Sequence, residues 1–122
     1  MYSVDERSEK IELGGCEYRL LFSTKALNEI VKRFGSLEDM SKKLEKDNIA
    51  EQLEAVVWLL TLLINQGIAA SNIVDGTTIS AISEDYVSIM TSPADLADYK
   101  DAITAAVTKG ASRKVISLSQ KN

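Results

Sequence analysis

The sequence predicts an α+β fold, mainly α: an N-terminal two-stranded β-hairpin followed by a bundle of about four to five helices. Three observations carry this. Ile11 and Leu13 alternate with Glu12, and Tyr18, Leu20 and Phe22 alternate with Arg19 and Leu21, on either side of Gly14-Gly15. From Ser23 onward the apolar period changes from two to that of a helix. Residues 55–64, AVVWLLTLLI, then form the longest run without a charge. A bilayer span needs ~20 such residues, so this run predicts a buried helix and no membrane anchor. A chain of 122 residues, 45% of them hydrophobic, suffices for one domain over 1–122 with a core that needs neither disulfide nor metal.

Residues 1–9 are polar and are expected to be flexible. The hairpin is placed at 10–22, because a two-residue turn of the primed type needs positive φ, which glycine supplies at little cost. The helical body is placed at 23–110. Its first helix puts Ala26, Leu27, Ile30, Val31 and Phe34 at helical spacing, with Ser23 or Thr24 as N-cap and Gly35 just past the end. Ser36, followed by Asp39, starts a second short helix striped by Leu37, Met40 and Leu44. Asn48, with Glu51 three residues on, starts a third that runs to about Gln66, before Gly67. At roughly 100° per residue, Leu53, Val56, Val57, Leu60 and Ile64 share a face that Leu59, Leu62 and Leu63 widen. So broad an apolar surface marks the core helix. Residues 67–78 read as a connection with an Asp75-Gly76 turn, and 80–90 as a helix with Ile82, Tyr86, Ile89 and Met90 inward. Ser92-Pro93 restarts the chain in the N-cap/N1 arrangement. The last helix is striped by Leu96, Tyr99, Ile103, Ala106 and Val107, with Gly110 expected to end it. Residues 111–122 are expected to form a flexible tail.

Charge is segregated. Residues 1–46 carry nine acids and nine bases, 47–99 carry eight acids and no base, and 100–122 carry one acid against five bases. An acidic middle and a net charge of −4 argue against nucleic acid as a partner. The chain has no histidine, which removes the usual triads and the commonest zinc sites, and it has one cysteine, Cys16, without a base to activate it. That cysteine reads as a small strand residue, and its isolation fits a reducing cytoplasm. Asp95, Asp98 and Asp101 follow one another at intervals of three, a spacing that sweeps round a helix surface instead of converging on a cation. No phosphate loop is present: the glycines of 67–78 lack the G-x-x-x-x-G-K-[ST] pattern. The chain therefore reads as a non-enzyme without cofactor or metal. Its candidate partner-binding residues are Trp58, Glu84, Asp85, Asp95, Asp98 and Tyr99. The acids read either as solvated surface or as a face for a basic protein, and Trp58 either as core beneath the C-terminal helix or as a partner anchor.

The run I-x-L-G-G-x-x-Y-x-L-x-F at 11–22, the helix closing on F-G-S-L-E at 34–38, the apolar middle helix and the final Ser-Pro-initiated helix together resemble the tail assembly chaperones of siphophages that infect Gram-positive hosts. The resemblance implies a cytoplasmic protein of the infected or lysogenic bacterium that coats the tape-measure protein before the tail tube polymerises around it, and that is missing from the mature virion. It also implies that some ribosomes shift by −1 near the end of the gene, appending a domain that recruits tail-tube protein. Gln120-Lys121-Asn122 can be encoded CAA AAA AAC, which contains the slippery string A AAA AAC. Weak homo-oligomers are expected from the apolar excess of the helices at 48–66 and 94–109. The alternative function is a small oligomeric structural or regulatory module with no chaperone role.

Overall fold

The computed structural model describes residues 4–112, ordered as one helical turn, two strands and five further helices. The hairpin forms as predicted. Strands β1 (Ser8–Leu13) and β2 (Cys16–Leu21) pair antiparallel, with Ile11 opposite Tyr18 and Leu13 opposite Cys16. Gly14 and Gly15 take φ of 58° and 80°, the two left-handed residues of a type I′ turn. Residues 1–9 are not wholly loose, however. Val4–Arg7 form a single helical turn, α1, and β1 begins two residues earlier than predicted. The turn packs on both strands, and Ser8 and Leu21, a facing pair, are buried at that end. The Arg19 guanidinium ties the turn down, bonding Asp5 at 3.0 Å and the Ser71 hydroxyl at 3.0 Å.

Helix α2 (Thr24–Phe34) is capped by the Ser23 hydroxyl, which accepts from the Ala26 N–H, and stops at Gly35 with φ 102°. Helix α3 (Leu37–Leu44) is capped in the same way by Ser36. On α2 only Ala26 and Ile30 are buried; Leu27 and Val31 are more than a third exposed. The reason is positional: α2 lies at the margin of the bundle and buries one narrow stripe against its neighbours, not the whole apolar arc of its sequence.

The core helix α4 starts at the predicted cap, Asn48, but spans Ile49–Asp75, ending at Gly76 in a left-handed C-cap. The predicted break at Gly67 does not occur. A Cβ on Gly67 would lie 2.4 Å from the Arg19 carbonyl oxygen, so the glycine is a notch that lets the backbone of β2 lie against the helix. The intrinsic cost of a mid-helix glycine, about 1 kcal/mol relative to alanine, is offset by this close seat. Leu59, Leu60, Leu63 and Ile64 are fully buried beneath the hairpin and α6. By length and composition alone α4 could cross a membrane, but half of its most apolar window is buried inside the fold.

Residues 76–83 return along α4 without regular structure. Two asparagines of α4, one heptad apart, hold their backbone. Asn65 donates to the Ile82 carbonyl and accepts from the Ile82 N–H, both at 2.9 Å. Asn72 does the same for Ile79, both at 3.0 Å. This clamp corrects the reading of 80–90: the helix, α5, covers only Glu84–Met90, capped by Ser83, and its buried residue is Val87. Tyr86 and Ile82 are half-buried, while Ile89 and Met90 are exposed. The hairpin tip abuts α5, with Met90 and Tyr86 crowding Gly14. The Tyr18 and Tyr86 hydroxyls lie 3.4 Å apart, and this contact pushes the Tyr18 phenol up to about 12. A 3₁₀ turn at Pro93–Asp95 leads into α6 (Leu96–Ala111), which buries Tyr99, Ile103 and Ala106 as the sequence predicts. Gly110 sits inside its last turn, where a Cβ would meet the Phe22 carbonyl at 2.4 Å. The tail beyond Ser112 and the slippery site at Lys121-Asn122 lie outside the described residues.

Candidate functional site

The largest concavity is a groove of about 550 Å³ between β1 and α6. Two features of the sequence build it. Alternation along β1 sends Ile11 toward the core while Lys10 and Glu12 stay exposed at the rim. On α6, the spacing of three that links Asp95, Asp98 and Asp101 runs them along the flank beside the buried stripe of Tyr99 and Ile103. The floor is Ile11, Tyr99, Ala102 and Ala105, and the walls carry Glu9, Glu12, Asp95, Asp98 and Asp101 against the single cation Lys10. Glu9 is already engaged by Lys109, 2.8 Å away. Among the described residues, Glu12, Asp95, Asp98 and Asp101 form no salt bridge. The concentration of negative potential in a groove with an apolar floor suits a cationic, partly apolar chain.

Three of the six residues singled out from sequence meet here: Asp95, Asp98 and Tyr99. Tyr99 is 9% exposed, and its hydroxyl accepts from the Ser92 N–H at 3.0 Å, so it is a wall of the groove fixed from behind. The other three stand apart. Trp58 is half-buried against α2 and not beneath the C-terminal helix. Its ring meets Phe34 edge-on, with centroids 5.6 Å apart, and the Arg33 guanidinium lies 4.8 Å from its centre. Glu84 and Asp85 lie exposed in the first turn of α5, where the helix dipole favours them. Glu84 borders a shallow notch with Leu53, Glu54, Val57 and Ser88. Asp101 was considered only as a metal ligand, yet it lines the groove with the other two aspartates. The β1 wall was missed because nothing local links residues 9–12 to residues 95–105.

Among the described residues no group of three or more histidine, cysteine, aspartate or glutamate side chains is placed to hold a metal ion. Cys16 is exposed next to the hairpin turn. No protein-family model, no curated protein and no solved structure matches the chain.

Proposed function

We propose that this chain is a phage tail assembly chaperone that binds and solubilises the tape-measure protein and helps recruit tail-tube subunits during assembly of a long non-contractile tail. The observation that carries the reading is the acidic groove between β1 and α6, set in a chain whose hairpin and first helix resemble that family. A tape measure is a very long, largely helical chain whose apolar stripes would otherwise self-associate, so many copies of a small protein must cover it reversibly. Contacts that are individually weak become effective when copies line up along one chain, and tube subunits can then displace them without an energy source.

The test is co-expression with the long helical protein encoded by the neighbouring gene. That protein should be soluble with the chaperone and insoluble without it. Reversing Asp95, Asp98 and Asp101 to lysine should abolish the rescue, and reversing Glu84 and Asp85 should leave it largely intact. Binding in pull-down should weaken with salt, because exposed charges more than ~10 Å apart are screened at 0.1 M. Rescue indifferent to the groove reversals would remove the groove from the reading, and a neighbouring gene of another kind would remove the chaperone.

The second reading, an oligomeric interaction module, draws on the exposed apolar side chains Leu27, Val31, Ile73, Val74 and Ile89. We expect weak homo-oligomers in either case. Sedimentation at high micromolar concentration should show an association that Leu27→Glu with Val31→Glu suppresses; a strict monomer would refute it.

A further inference from the structure

The sheet has two outer edges, and the fold treats them differently. The edge of β2 is crossed by α4, whose Gly67 lies against the Arg19 carbonyl. The edge of β1 has no such cover. In an antiparallel pair, alternate residues turn their N–H and C=O away from the partner strand. With Leu13 and Cys16 flanking a two-residue turn, the outward residues of β1 are Ser8, Lys10 and Glu12. The outward carbonyl of Ser8 accepts from the Lys109 ammonium at 3.3 Å. Among the described residues no strand pairs with Lys10 or Glu12 on that side. An unpaired strand edge is a standing template for another segment, and small proteins ordinarily cover it.

We infer that residues 113–122 of the same chain occupy the groove along the outer edge of β1. Three observations point to this occupant. The first is where the described chain stops. Lys109, in the last turn of α6, contacts both Glu9 and Ser8, so the chain leaves α6 at the open end of β1. The second is length. Ten residues remain after Ser112 and can span at most ~33–36 Å, against ~20 Å for the six residues of β1. The third is chemistry. RKVISLSQKN holds Arg113, Lys114 and Lys121 and no acid, to set against Glu12, Asp95, Asp98 and Asp101, with Val115, Ile116 and Leu118 for the floor of Ile11, Ala102 and Ala105. The occupied groove is then self-regulated: a basic partner has to displace the chain's own end before it can bind. This inference owes nothing to the family resemblance.

The experiment uses the full chain without any partner. A nitroxide is attached at Leu118→Cys in a Cys16→Ser background, and amide intensities are compared with the label oxidised and reduced. Residues 10–12 and 98–105 should lose most of their intensity when the label is oxidised, and recover it when Arg113→Glu and Lys114→Glu are added. A second sample mixes labelled, isotope-free chain with unlabelled ¹⁵N chain. Intensity loss there would assign the occupant to a second copy and overturn the same-chain contact. Groove amides unaffected in both samples would leave the groove for a separate basic protein and overturn it equally.

Discussion

Replacing Gly67 by alanine is expected to destabilise this protein, although the same change in an ordinary helix interior would stabilise it by about 1 kcal/mol. The sign inverts because the added methyl would lie 2.4 Å from the Arg19 carbonyl oxygen and 3.2 Å from the carbonyl carbon and from Cβ of the same residue. Backbone cannot swing aside as a long side chain would. Either β2 lifts from α4 or the helix bends, and overpacking of this kind costs about 1–3 kcal/mol. A two-stranded hairpin has little stability of its own, so the loss falls on the whole fold. Gly110→Ala should act in the same direction, because its methyl would meet the Phe22 carbonyl at 2.4 Å. Urea denaturation measures both, and a midpoint that rises in Gly67→Ala would contradict the notch.

Truncating Leu60 to alanine should have the larger effect, about 2–5 kcal/mol, because a fully buried leucine loses both its transfer energy and the packing round the cavity left behind. Ile73→Ala, on the same helix but 83% exposed, should stay within about 0.5 kcal/mol of wild type. The pair therefore probes where along α4 the core ends. Comparable losses at both sites in denaturant melts would mean that the distal turns are covered in solution, most simply by another copy of the chain.

What the sequence made legible was local. The Gly14-Gly15 turn, the side-chain caps at Ser23, Ser36 and Asn48, and the stripe of α6 each depend on residues within one or two turns of each other, and each formed as predicted. The misreadings were all non-local. Gly67 looks like a helix terminator to any local rule, because its reason for being glycine is a strand 48 positions earlier in the chain. The inward face of 80–90 was misjudged because its starting point is set by Asn65 and Asn72, not by its own period. The groove divides in the same way. Asp95, Asp98 and Tyr99 stood out on α6, whereas Glu9, Lys10 and Glu12 join them only through the packing of β1 on α6. Trp58 drew attention by residue type alone, and its ring is absorbed by Phe34 and Arg33.

The asparagine clamp has a consequence for how the molecule opens. On the hairpin side, α4 is held by apolar burial that only global unfolding can undo. Past Ile68 it buries no further side chain, and what holds 76–83 in place is the pair of amide forks at Asn65 and Asn72. Hydrogen bonds of this sort contribute about 1 kcal/mol each, and water can replace them. The last two turns of α4 and the segment that returns along them therefore form a separate low-energy hinge unit, free to detach while the hairpin, α6 and the groove between them keep their shape. A protein that must cover a long chain and later let go has, in such a unit, a part that can yield first.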